Sequence, residues 1–409
     1  MTSDVIATTV NPDLVVAEGG RTQWNRPETR RWGFHNLHRI SRYGLSLRSR
    51  DVLVLRRDID RRIAELDAVR RMTSTTIFSG LAVVRGNTLL YEHYAPDFGP
   101  DRLHSIQSIT KTTINLIYGQ LVAGGQIDLE AKVGDHLPEI GSGYAGASLR
   151  DVLDMNVAND YSEDYEDPAS AVFDHETAMG WRLPAPGAAE ITNRGFVCGI
   201  ESDDIVNHGP EILYKSANSD VLAWIAERLT GRPLRDQLID IIEAAGLEHT
   251  FHTSTDRGGM PIIDGGASMT ARDLARYGQI FVRGGQGVSG QAIGSQAFIN
   301  EARTAESKHF PAPREWLHYC RHLQTNGRWV GHGGYGGQYM LADPESGVSV
   351  AFFSVLEDQS GYDQKYIGDT ILMCQEIAAL PFGSPKDRHS SGAGAPYSMP
   401  SRSLTAAVT

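Results

Sequence analysis

The spacing of apolar positions changes several times along the chain, and each change marks a different kind of element. Residues 1 to about 50 show little periodicity, are rich in arginine and carry aromatics that look exposed, such as Trp24 and Trp32. They read as an N-terminal arm. In "DIDRRIAELDAVRRM", Ile59, Ile63, Leu66 and Val69 fall at helical spacing. The arginines on the other face predict a solvated surface paired with Asp and Glu. "SGLAVVRGNTLLYEHYA" is two β-rich runs joined by Gly86-Asn87, a two-residue hairpin signal. "SITKTTINLIYGQLVAGGQ" restores the helical period, with a stripe of Ile114, Ile117, Leu121 and Val122 stopped by Gly124-Gly125.

From about 126 to 310 helical signals predominate. Ser148 precedes "LRDVLDM" as an N-cap, "SDVLAWIAERLTG" closes at Gly231, and Thr270 with Asp273 resembles a capping box. Beyond 328 the period falls to two, and "QYMLADPESGVSVAFFSV" predicts two strands joined by a turn over 343–347. There is no internal repeat. This layout predicts an α/β plus α architecture, in which one sheet is built from both chain ends. Residues 51–110 and 320–383 would form the α/β domain, and 111–319 a mainly helical domain inserted into it. The Ser/Pro/Gly-rich end, 384–409, reads as a disordered tail.

Composition narrows the function classes. The chain has 409 residues, 41% hydrophobic and 22% charged, which is ordinary globular makeup for two or three domains. A net charge of −12 argues against a nucleic-acid partner. Three widely spaced cysteines, Cys198, Cys320 and Cys374, suit reduced thiols better than a disulfide framework or structural zinc. The start lacks a basic n-region, Asn11, Pro12 and Asp13 break any apolar core, and no run approaches a membrane span. The expectation is a cytoplasmic protein with no membrane partner.

Residues 331–336, "GHGGYG", satisfy the dinucleotide pattern G-x-G-x-x-G. A strand and a turn signal follow, so there is no helix N-terminus for a pyrophosphate and that reading fails. The glycines instead strip side chains from a strand, letting a ligand or another backbone approach. Ser108-Ile109-Thr110-Lys111 heads the 112–123 stripe. Positions i and i+3 share a helix face, so the amine reaches the hydroxyl and can activate it. Such a tetrad also arises by chance, as a serine cap beside a solvated lysine. Tyr214 stands in a polar loop before a helix, where a phenol can pass a proton to a leaving group. "HYCRH" spaces His318 and His322, with Cys320 between them, as a metal pair if the stretch is helical, but no third ligand is evident and a structural role is expected. Glu163, Asp164, Glu166 and Asp167 surround Tyr165 without EF-hand spacing, as a solvated acidic loop or a seat for a cationic substrate. No G-x-S-x-G elbow occurs.

The order Ser108-x-x-Lys111, Tyr214, His332-Gly333-Gly334 resembles the serine β-lactamase and penicillin-binding-protein superfamily, over about residues 50–380. "YSEDYEDPASAVFDHETAMGWR" and "YKSANSDVLAWIAERLTG" are most similar to the 6-aminohexanoate-dimer hydrolases and their esterase relatives. The resemblance implies a β-lactamase/transpeptidase-like fold, a mixed α/β domain with an antiparallel sheet plus a helical domain, with the site between them. It implies a serine hydrolase that cleaves a small amide or ester through an acyl-enzyme on Ser108, without metal or cofactor. Lys111 would be base or fixed charge, and Tyr214 the proton shuttle. The backbone N–H groups of Ser108 and Tyr335 would form the oxyanion hole. Tyr165, Asp174, Asn218, His332, Gly333 and Gly334 would contact substrate. Two departures from the antibiotic-directed members stand out. His332-Gly333 replaces Lys-Thr-Gly, and Tyr-x-Asn reads Tyr214-Lys215-Ser216 with Asn218 two residues late. β-Lactamase activity is therefore expected to be weak at most. An acyltransferase on the same site and a catalytically silent ligand-binding relative stay open, as does a homodimer.

Overall fold

In a computed structural model the described residues are 24–382, Pro186 excepted, so the expected tail lies outside them. The N-terminal segment differs most from expectation: from Trp24 onward it is built into the fold. Helix α1 (Arg30–Ile40) buries Arg30, Gly33, Phe34, Leu37 and Ile40 on one face. Trp24, expected to be exposed, is buried between Phe34 and Trp181. Trp32 does face solvent. The face was hidden in the sequence because two of its five members are an arginine and a glycine. A Cβ on Gly33 would lie 2.0 Å from the Trp24 carbonyl oxygen, so glycine lets the chain cross there. Strand β1 (Gly44–Leu47) then pairs antiparallel with Phe251–Ser254.

Next come β2 (Arg56–Arg57), α2 (Arg61–Glu65) and α3 (Asp67–Thr73). The single helix predicted here is two, because Leu66 is extended between them (ψ 127°). The hairpin β3 (Phe78–Arg85) and β4 (Thr88–Tyr94) has the predicted two-residue turn, with Arg85 opposite Thr88 and Gly86 at φ +59°. Strand β5 (His104–Ser105) leads into a 3-10 turn, Gln107–Lys111, continued by α4 (Thr112–Ala123). Eight helices, α4 included, fall within 112–245, the longest later ones being α5 (Ala217–Thr230) and α6 (Leu234–Ala245). Strands β6 (Phe251–Ser254) and β7 (Ala267–Met269) interrupt the helical stretch, followed by α7 (Ala271–Val282). The expected caps are present: Ser148 Oγ accepts from Asp151 N, Thr270 Oγ1 accepts from Asp273 N, and Gly231 ends α5 at φ +63°.

The chain closes with β8 (His318–Cys320), β9 (Leu323–Thr325), β10 (Val330–Gly334), β11 (Gln338–Asp343), β12 (Val348–Ser354) and α8 (Gln364–Ala378). The large sheet runs β2-β4-β3-β12-β11-β10-β9-β8, antiparallel except for β2 with β4. Both chain ends therefore supply it, as in a β-lactamase/transpeptidase-like fold. A second sheet, β1-β6-β7-β5, takes its first strand from the N-terminal segment.

Period-two alternation divides the large sheet between two cores. Ala82, Val84, Met340, Ala342, Ala351 and Phe353 face the core shared with α4, α5 and α7. Their neighbours Leu81, Val83, Tyr339, Leu341, Val350 and Phe352 face the core shared with α3 and α8. A sheet covered on both faces needs apolar residues at both parities, which is why β12 is buried throughout. No helix among the described residues is long and apolar enough to cross a membrane.

Candidate active site

The 3-10 turn carrying Ser108 leaves the small sheet and packs against β10 of the large one. Gln107, just before the serine, has φ +46°, a left-handed conformation costly for a residue with a Cβ. Its side chain is held by Ser105 Oγ at 2.7 Å. The turn leaves Ser108 half-buried at the wall of a cavity of about 690 Å³. Gly334 explains the close approach of β10. A Cβ there would sit 2.6 Å from the Ile106 carbonyl oxygen and 3.0 Å from Gln107 Cβ. The glycine-rich stretch is thus followed by a strand, and its glycine admits a backbone.

Lys111 is wholly buried one turn beyond the serine. Its Nζ lies 3.0 Å from Ser108 Oγ and 2.8 Å from Ser216 Oγ, and it donates to the main-chain oxygen of Asp264. Burial pulls the amine below the ordinary lysine range, opposed by the carboxylates of Asp264, Glu163 and Asp220. An ammonium has three hydrogens for these three oxygens. A neutral amine can give two, to Asp264 O and Ser216 Oγ, and turn its lone pair to the Ser108 hydroxyl.

Tyr214 precedes α5, with its ring centroid 5.3 Å from Lys111 Nζ. Desolvation pushes its phenol well above the ordinary tyrosine range, and a hydrogen bond with Ser108 opposes this. The same burial that neutralises an amine keeps a phenol protonated. Ser108, Tyr214, Gly333, Gly334, Tyr335 and Tyr165 all line the cavity. Tyr165 stacks on Tyr335 at 4.6 Å, and Tyr335 Oη donates to the Ser360 carbonyl at 2.8 Å. Glu163, Asp164 and Glu166 also face the cavity. Glu163 is anchored by the Ser216 N–H at 3.1 Å.

Three expected contact residues are not at this wall. Asn218 is fully buried, accepting from Tyr144 Oη at 2.8 Å and donating to the Val152 carbonyl at 3.1 Å. The second residue after Tyr214, Ser216, meets Lys111 in its place. Sequence reading passed over Ser216, although its offset from Tyr214 was the available signal. Asp174 is exposed and lines a separate cleft with Asp160 and Tyr161. His332 is wholly buried, 6.2 Å from the Tyr214 ring. Its Nδ1 meets the Gly333 carbonyl at 2.7 Å and so donates, leaving Nε2 to accept from Tyr319 Oη at 3.1 Å. Desolvation drives its pKa well down, so this imidazole is neutral and supports the wall from behind.

Behind Lys111 lies a buried polar cluster that sequence reading also missed. His175, Asp220 and Asp264 bring potential metal-ligand atoms within 4.8 Å of one another. His175 Nε2 faces two acceptors, Asn193 Oδ1 at 2.9 Å and Asp220 Oδ2 at 3.1 Å, so it carries a proton and offers no lone pair. Burial and the charge of Asp220 push Asp264 up to about 7. The candidate pair His318 and His322 is likewise committed, to the Ser307 carbonyl and to Ser219 Oγ with the Leu153 carbonyl.

The family model described as Beta-lactamase matches residues 59–365. The 6-aminohexanoate-dimer hydrolase of Paenarthrobacter ureafaciens is 32% identical over 305 residues, spanning 73% of this chain and 76% of that one. Among solved structures, a Bacillus anthracis protein provisionally named a 6-aminohexanoate-dimer hydrolase superposes with a TM-score of 0.73 at 18% identity. That match covers 88% of this chain and 96% of the other. EstCE1, a hydrolase with promiscuous acyltransferase activity, gives 0.55 at 16% identity over 76% and 98% of the two chains. At these identities the two solved structures speak for the fold. The chain belongs to the Beta-lactamase family and is a serine hydrolase.

Proposed function

We propose that the chain hydrolyses a small amide or ester, of the 6-aminohexanoate-oligomer or short acyl-ester kind, through an acyl-enzyme on Ser108. One observation carries the reading: a wholly buried lysine amine 3.0 Å from the half-buried serine hydroxyl at a cavity wall. Lys111, depressed by burial, takes the Ser108 proton as Oγ attacks the carbonyl carbon. Tyr214 passes its proton to the departing amine or alkoxide and regains one from the Lys111 ammonium, so the phenol ends the step protonated. The N–H groups of Ser108 and Tyr335 receive the oxyanion, and the Tyr335 N–H has no acceptor among the described residues. Water then attacks the acyl carbonyl and regenerates Ser108.

An amine-terminated acyl group suits the cavity, because Glu163, Asp164 and Glu166 face it. The name of the Paenarthrobacter relative points to the same class. β-Lactam hydrolysis is disfavoured, since no Lys-Thr-Gly cation and hydroxyl flank the serine and His332 is neutral and buried. Acyl transfer to an amine or alcohol uses the same intermediate, and the name of EstCE1 keeps it as the second reading.

The test is intact mass and nitrophenol release after mixing with a p-nitrophenyl acyl ester, for wild type and Ser108→Ala. A burst with an acyl adduct, both lost in the mutant, is expected. The 6-aminohexanoate dimer follows as substrate, then added amine acceptors to measure transfer. Equal signals from both proteins would refute the nucleophile, and a silent wild type would leave a ligand-binding relative as the better account.

A further inference from the structure

Four arginines are buried among the described residues, and three have matched surroundings. Arg276 reaches Asp273 at 2.8 Å, Glu248 at 2.6 Å and the Leu53 carbonyl at 2.9 Å. Arg321 pairs with Asp154 and Glu301, each at 2.5 Å. Arg30 carries no carboxylate but spends its donors on Asn25 Oδ1 and the carbonyls of Asn25, Leu356, Asp358 and Gln359. Arg314 is different. Only 3% exposed, its guanidinium has one hydrogen-bond acceptor among the described residues, Tyr362 Oη at 2.7 Å. Its Nε, like that of Arg321, is buried without an acceptor, but unlike Arg321 it has no carboxylate paired with it among the described residues. The rings of Phe310 and Tyr362 flank the cation at 5.0 and 5.7 Å.

A guanidinium stays ionised, and withdrawing one from water is costly unless an anion or several acceptors replace the water. Two aromatic faces recover part of that cost but satisfy none of the five N–H donors. Arg314, Phe310 and Tyr362 all line the cavity that holds Ser108. We infer that Arg314 is the seat of a substrate carboxylate, the anion its surroundings lack. The substrate is then an amide or ester with an ionised acid at one end. With Glu163, Asp164 and Glu166 on the same cavity, the whole site suits a zwitterion of the amino-acid-oligomer type. The inference deepens the acyl-enzyme reading and rests on it.

The experiment uses two matched pairs of substrates. Mono-p-nitrophenyl adipate and its methyl ester place the carboxylate on the acyl side. p-Hexanoyloxybenzoate and its methyl ester place it on the leaving side. For each pair the ratio of kcat/KM, acid over ester, is measured in wild type and in Arg314→Gln. Dividing one ratio by the other cancels intrinsic reactivity. In one pair the quotient should be about 10- to 100-fold, the range of a charge-assisted hydrogen bond. Arg314→Lys should retain part of it. Quotients within about threefold of unity in both pairs would overturn the inference.

Burst amplitude on p-nitrophenyl butyrate counts competent sites in each protein. If Arg314→Gln gives no burst, the wild type decides: hexanoate should inhibit at least tenfold better than hexanamide, and equal inhibition would overturn the inference. A wild type without a burst refutes the acyl-enzyme reading instead.

Discussion

Gly334→Ala tests why the cavity wall is glycine. This residue has no positive φ, so alanine costs nothing in backbone conformation and the effect is steric. The new methyl would lie 2.6 Å from the Ile106 carbonyl oxygen, about 0.8 Å short of ordinary contact. It would also meet Gln338 Oε1 at 2.7 Å and Gln107 Cβ at 3.0 Å. The nearest atom is backbone in the turn that carries Ser108, so relief requires β10 to retreat from that turn. Tyr335, the next residue, moves with it and its N–H leaves the position proposed for the oxyanion. A misplacement near 1 Å costs about 100-fold in rate, and loss of one oxyanion donor costs about 100- to 1,000-fold. The expectation is kcat lower by about 100-fold, with overpacking costing about 1–3 kcal/mol of stability. Gly333→Ala is the control, because its Cβ meets only side-chain atoms at 3.4, 3.6 and 3.8 Å. Acylation rate and melting temperature are read for both variants. A folded Gly334→Ala within threefold of wild type, or a Gly333→Ala equally impaired, would refute the close-approach argument.

Three further outcomes are expected. Ser216→Ala removes an oxygen 2.8 Å from Lys111 Nζ, so kcat/KM should fall about tenfold. The acid limb of its pH–rate profile should move to lower pH, and an unmoved limb would refute Lys111 as base. Asp264→Asn tests the buried cluster through stability. The native carboxyl titrates at about 7 against 3.8 unfolded, so between those values the native state holds the extra proton and stability falls as pH rises. The variant should flatten that fall between about pH 4 and 7, and parallel melting curves for both proteins would contradict it. Arg30→Met strands the carbonyls of Leu356, Asp358 and Gln359 beside the cavity. Denaturant unfolding should show a loss of about 2–4 kcal/mol, whereas an unchanged midpoint would mean that the N-terminal segment is dispensable.

Much of this molecule was legible because it depends on neighbours in sequence. The Gly86-Asn87 hairpin, the caps at Ser148 and Thr270 and the Ser108–Lys111 contact are set by backbone geometry over a few residues. The resemblance placed Tyr165 and Gly333-Gly334 at the cavity as well. Periodicity misled where a buried face contains polar or tiny residues, as in α1, whose inward side includes Arg30 and Gly33.

Read alone, then, the chain determined its family, the class of its chemistry and the local turn that puts an amine beside a hydroxyl. Tertiary structure decided what surrounds that pair. Ser216 lies 105 residues from Lys111, and the Asp264 carbonyl 153. Asn218 turns into the helical core, while Arg314 reaches the cavity without a counter-charge among the described residues. A residue's own spacing says which face of an element it occupies. What stands opposite that face, and hence whether a charge is paired or left for a ligand, depends on the packing of distant segments.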